Sequence, residues 1–151
     1  MVAPASEEIV FRACMMPLLV PAIGRTAAVL VVPAFFGIAH LHHVVDHIHH
    51  CGKTIREAWL LVIVQLGYTS LFGMYSAFVF VRTGLVLPVV ASHAFCNTMG
   101  LPDFGGAMSH ERKLVVGTAF VAGLAGFILL LFPATDPSLY ASVYYKNDAA
   151  Q

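Results

Sequence analysis

Two long stretches of the chain carry no charge: residues 58–81, AWLLVIVQLGYTSLFGMYSAFVFV, and residues 114–133, LVVGTAFVAGLAGFILLLFP. A helix needs about 20 mostly apolar residues to cross a hydrocarbon core of about 30 Å, so each run predicts a membrane span. Three less continuous apolar runs accompany them. One extends from Thr26 through Ala39 into a histidine-rich stretch, one from Leu85 to Leu101 contains His93 and Asn97, and one from Ala13 to Gly24 is interrupted by Pro17 and Pro21. The pattern predicts five membrane helices, the first kinked or short because of its prolines. Charges and helix breakers mark the boundaries at Gly24-Arg25, 51–57, 82–84, 102–113 and 133–137. The expected fold class is all-α, a polytopic transmembrane helix bundle. One membrane core is expected over residues 1–137, with a loose C-terminal tail over 138–151.

Composition strengthens this reading. The chain has 151 residues, of which 59% are hydrophobic and 11% charged, and its mean hydropathy is +0.82. That is too little polar surface for a water-soluble domain of this size, so the lipid bilayer is the expected partner. Eight basic residues balance eight acidic ones, leaving no excess to neutralise phosphates, and nucleic acid is not expected as a partner. Three scattered cysteines form neither a disulfide framework nor a CxxC zinc pattern.

If all five helices cross, the N-terminus and the loops at 42–57 and 102–113 share one side of the membrane. Lys53, Arg56, Arg112 and Lys113 fall there, against Arg25, Arg82 and Lys146 opposite, which by a margin of one charge makes the first side cytosolic. The same count brings toward that face Glu7, Glu8 and Arg12 of the first helix, His40 of the second, and His93 and Asn97 of the fourth. Ionisable groups within a span cost at least about 2.5 kcal/mol near its centre, so they face a bundle interior and serve a pathway or a site. Each pair alone has a bland explanation. Glu8 and Arg12, four apart, suit a helix-start ion pair. Phe36 lies one helical turn from His40, which alone reads as a satisfied interior histidine. His93 and Asn97 alone suit a hydrogen bond between helices. Three such pairs converging on one face favour a site.

The chemistry available to that set is hydrolysis of an amide. A glutamate in a low-dielectric cavity can take a proton from water, an imidazole can hold that water, and two further donors can stabilise the oxyanion formed on attack. No Ser-His-Asp set or H-E-x-x-H helix competes with this assignment. A rival signal lies in His40, His42, His43, His47, His49 and His50 with Asp46, which include i, i+4 pairs such as His43/His47, His42/Asp46 and Asp46/His50 able to hold a divalent metal. A solvated polar loop face is the simpler reading of these residues. The alternative to an enzyme is a non-enzymatic membrane protein, either a metal carrier using His43 and His47 or a catalytically inactive relative of an enzyme.

Four ordered segments then carry a family resemblance: E-E-I-V-F-R from Glu7 to Arg12, F-F-G-I-A-H-L-H-H from Phe35 to His43, Y-T-S-L-F-G-M-Y-S-A-F-V-F-V-R-T-G from Tyr68 to Gly84, and H-A-F-C-N-T-M-G-L-P from His93 to Pro102. Together they resemble the type II CAAX prenyl proteases, or Ras-converting endopeptidases, of the eukaryotic branch. The resemblance implies an endopeptidase of the endoplasmic reticulum membrane, multi-pass, with its active site facing the cytosol. Such an enzyme removes the C-terminal tripeptide from prenylated CAAX proteins such as Ras-like small GTPases. It also implies that Glu7 activates the water with His40 beside it, that His93 and Asn97 form the oxyanion hole, and that Glu8 and Arg12 support them. This mechanism requires no cofactor, although a divalent metal is compatible with the residues present. Eukaryotic members carry several spans before the E-E-x-x-x-R motif, whereas six residues precede Glu7 here, so the chain is expected to be a fragment or an unusually short product. The likeness fades beyond Pro102.

Overall fold

The computed structural model describes residues 2–145, and those residues form helices without strands. The first rod comprises α1 (Val2–Glu8), a π-helical segment (Ile9–Met15) and α2 (Met16–Ile23). The second comprises α3 (Arg25–Ile38), a 3₁₀ turn (Ala39–His42) and α4 (His43–His49). The third is α5 (Ile55–Thr83), the fourth α6 (Leu87–Met99), and α8 (Lys113–Ala134) is the fifth; α7 (Phe104–Ser109) and α9 (Pro137–Tyr140) are short connectors.

The five rods agree with the hydrophobic pattern, and the first differs from it in detail. The first begins at Val2, not Ala13. Pro17 does not break it, and falls in the first turn of α2 directly after the π-helical segment. Among the described residues, three helices are long and apolar enough to cross a membrane: Arg25–His49, Ile55–Thr83 and Lys113–Ala134. The first rod carries Glu7, Glu8 and Arg12, and α6 has only 13 residues, about 20 Å of helix at 1.5 Å per residue. These two therefore lean on the other helices for their polar groups and their reach.

Local chemistry sets the ends of the rods. Gly24, at φ 82°, turns the chain directly from α2 into α3, a conformation that glycine adopts without strain. Thr54 and Glu57 form a reciprocal capping box at the start of α5. Asp103 caps α7 through Gly106 N at 2.8 Å.

The central contact is α3 on α5. Ala28, Val32, Ala77, Phe80, Val81 and Met16 form one buried cluster, while Val44, Ala58 and Val62 form a second where α4 meets α5. Gly73 makes the crossing close, since a Cβ added there would lie 2.9 Å from Pro33 Cβ. At the end of the bundle away from the histidines, Arg25 Nη1 donates to the Tyr144 carbonyl at 2.9 Å and Ser142 Oγ donates to the Val81 carbonyl at 2.6 Å. Within the expected tail, Ser142 and Tyr144 thus contact α5 and α3. Residues 146–151, including Lys146 of the charge count, lie outside the described residues.

Candidate active site

The π-helical segment gives the first rod its chemistry. A π-helical stretch widens the helical turn and recurs where side chains must be re-aimed. Glu8, just before it, and Arg12, within it, are both fully buried. Arg12 Nη1 lies 3.1 Å from Glu8 Oε2, and Nη2 donates to the Gly73 carbonyl at 3.0 Å. The pair, which taken alone suits a helix-start ion pair, is an interior clamp between the first rod and α5. Breaking such a pair on one side strands a buried charge, which is why its value is orientation more than net stability.

Glu8 reaches across to α6. His93 Nδ1–H donates to Glu8 Oε1 at 2.8 Å, so the ring is fixed and only Nε2 remains for other partners. That nitrogen lies 3.7 Å from Glu7 Oε2. Adjacent glutamates thus divide the work by their position on the helix: Glu8 is buried against Arg12 and His93, whereas Glu7 is half-buried and lines an open cavity.

His40 occupies the neighbouring wall. Its Nδ1 is 2.8 Å from the Phe36 carbonyl, which can only accept, so Nδ1 carries the hydrogen and Nε2 is left available. Phe36 is the hub of the aromatic packing. Its ring meets His40 edge-on at 5.0 Å between centroids and His93 at 6.0 Å, and the Arg12 guanidinium lies 5.0 Å from its centre. The i, i+4 spacing of Phe36 and His40 does place ring against ring.

A cavity of about 620 Å³ joins these groups. Glu7, Phe36, His40, His43, His93 and Asn97 all line it, so residues from three separate helical rods do converge. Asn97 lies on its exposed side. His93 is in ion-pair range of Glu7, and His40 lines the same cavity.

The sequence reading assigned no site residue to α5. Gln65, Tyr68, Thr69 and Phe72 of α5 also line the cavity, with the Phe72 ring centroid 4.9 Å from that of His93. Gln65, Thr69 and Gly73 repeat at intervals of four within an uncharged span, a stripe of polar and small residues that was the available signal. For a metal, the described residues offer one grouping: His42, His43 and Asp46, whose ligand atoms lie within 4.8 Å of one another. Of the spaced pairs, His42/Asp46 is in this grouping together with His43, and His47 is not.

Fold and site together define an all-α membrane protein with a carboxylate–histidine centre inside its helix bundle. The chain belongs to the type II CAAX prenyl endopeptidase Rce1-like family, whose model matches residues 1–99. It is 42% identical over 142 residues to the CAAX prenyl protease 2 of Homo sapiens, covering 94% of this chain and 43% of that protein. It is 44% identical over 140 residues to that of Arabidopsis thaliana, covering 92% and 44% respectively. The chain thus spans less than half the length of these relatives. No solved structure matches it significantly.

Proposed function

We propose that this chain carries the catalytic centre of an intramembrane endopeptidase that removes the C-terminal tripeptide from prenylated CAAX proteins, Ras-like small GTPases among them. The observation that carries the reading is the pair of neighbouring glutamates in unlike surroundings, one buried against Arg12 and His93 and the other half-buried on a cavity wall, 3.7 Å from His93 Nε2. Family membership and the relatives' names support the reaction class.

In this reading Glu7 takes a proton from a water molecule as the water oxygen attacks the scissile carbonyl carbon, with the free Nε2 of His40 holding that water. The carbonyl oxygen becomes an oxyanion that accepts from the Asn97 amide and from His93 Nε2 when that nitrogen bears a proton. The tetrahedral intermediate then collapses, the C–N bond breaks, and the proton held by Glu7 passes to the leaving amine. Glu8 and Arg12 hold His93 in place. No cofactor enters these steps. The protein is assigned to the endoplasmic reticulum membrane, with the cavity opening to the cytosol, on family membership and on the excess of Lys and Arg in the loops beside the site.

The test is release of the terminal tripeptide from a farnesylated CAAX peptide by the membrane-embedded protein. Glu7→Gln and His40→Ala are each expected to lower kcat/KM by about 10²–10⁴-fold, the range for losing a general base or its partner. Cleavage that persists in both variants would remove the mechanism.

A further inference from the structure

The junction between the 3₁₀ turn and α4 holds a cluster that the hydrolytic steps leave unused. His42 Nδ1 is 2.7 Å from the Ala39 carbonyl, so that nitrogen carries the hydrogen and Nε2 is left as a lone-pair donor. A histidine whose second nitrogen is already tied to a carbonyl is in the form metal ligands take. His43 stacks beside it, with ring centroids 4.1 Å apart. The His43 Nδ1 lies 3.3 Å from Asp46 Oδ2, and His50 approaches the other carboxylate oxygen at 3.7 Å. Consecutive residues of one straight helix point about 100° apart; the tighter turn ending at His42 instead brings these two imidazoles to the same side as Asp46.

We propose that His42, His43 and Asp46 form a binding site for a divalent transition metal, zinc-like in its preference for two imidazoles and a carboxylate. The donor atoms, within 4.8 Å of one another, need only small side-chain rotations to reach metal–ligand bonds of about 2.0–2.2 Å. All three side chains are at least partly solvent-accessible, which gives an ion a route in. The site is separate from Glu7 and His93 but touches their cavity, because His43 also lines it and lies 5.8 Å, centroid to centroid, from His40. Metal held there ties the 3₁₀ turn to α4 and fixes the His43 side of the cavity rim.

Titration of the metal-free, detergent-purified protein with Co²⁺, read by ligand-field absorption and by displacement with Zn²⁺, tests the proposal without reference to peptidase activity. One equivalent is expected to bind. His42→Ala and Asp46→Asn should each weaken binding by at least about tenfold, while His49→Ala and His93→Ala should leave it unchanged. The partly exposed positions of His42 and Asp46 make loss of the fold an unconvincing cause, and circular dichroism of each variant checks that directly. Equal weakening by His49→Ala would indicate diffuse binding along the histidine tract and overturn the site. Binding that survives in the His42→Ala/Asp46→Asn double variant, or that is lost with His93→Ala instead, would overturn it as well.

Discussion

At the scale of single residues, Glu7 and Glu8 show how one helical step changes the meaning of a carboxylate. Glu8 has no exposed surface and two partners, so Glu8→Ala leaves the Arg12 cation buried without its counter-charge. The expected cost is about 3–5 kcal/mol, measured by reversible unfolding of the purified protein in mixed micelles. The same substitution in an Arg12→Leu background should cost clearly less, because the stranded charge is gone; equal costs in the two backgrounds would contradict the clamp. Glu7 is 35% exposed at its side chain, and Glu7→Gln should change stability by less than about 1 kcal/mol. The two glutamates are therefore separable: one variant loses stability, the other activity.

At the scale of elements, the close crossing of α3 and α5 sets how near Arg12 can come to the α5 backbone. Gly73 permits it on both sides, since an added Cβ would meet Pro33 Cβ at 2.9 Å and Arg12 Nη2 at 3.4 Å. Pro33 Cβ is attached directly to the backbone and cannot swing away. Gly73→Ala should therefore cost about 1–3 kcal/mol, as overpacking does, and should lower peptidase activity by shifting Arg12, Glu8 and His93 together. Gly67, two turns earlier on the same helix, has nothing within 4 Å of such a Cβ. Gly67→Ala is expected to be neutral or to stabilise by up to about 1 kcal/mol through helix propensity. Thermal unfolding of the two variants side by side checks the pair, and similar shifts of the same sign would refute the packing argument.

At the scale of the whole molecule, α8 stands apart from the bundle: none of its most apolar stretch is buried. Arg82 holds its far end, with Nε donating to Thr135 Oγ1 at 2.9 Å and Nη2 to the Phe132 carbonyl at 3.1 Å. The Phe78 and Phe132 rings meet at 5.6 Å between centroids beside it. Arg82→Ala should free α8 while leaving the site intact. Cysteines placed at positions 78 and 132 should crosslink efficiently in the parent protein and several-fold more slowly in the variant. Unchanged crosslinking would show that the Arg82 hydrogen bonds do not hold the helix.

Helix number and order were legible in the chain because a bilayer filters segments by length and polarity, and both are properties of contiguous residues. The same is true of the polar positions that stand out within apolar runs: Glu7, Arg12, His40 and His93 were visible as exceptions before any packing was known. Family membership likewise follows from short ordered motifs. What the sequence left open was decided by contacts between helices distant along the chain. The π-helical segment, the burial of Glu8, the approach of Arg12 to the Gly73 carbonyl and the contribution of Gln65, Thr69 and Phe72 to the cavity all depend on where α5 and α6 lie against the first rod. Two adjacent glutamates are chemically identical in a sequence; only the neighbours brought to each by folding make one a brace and leave the other facing the cavity.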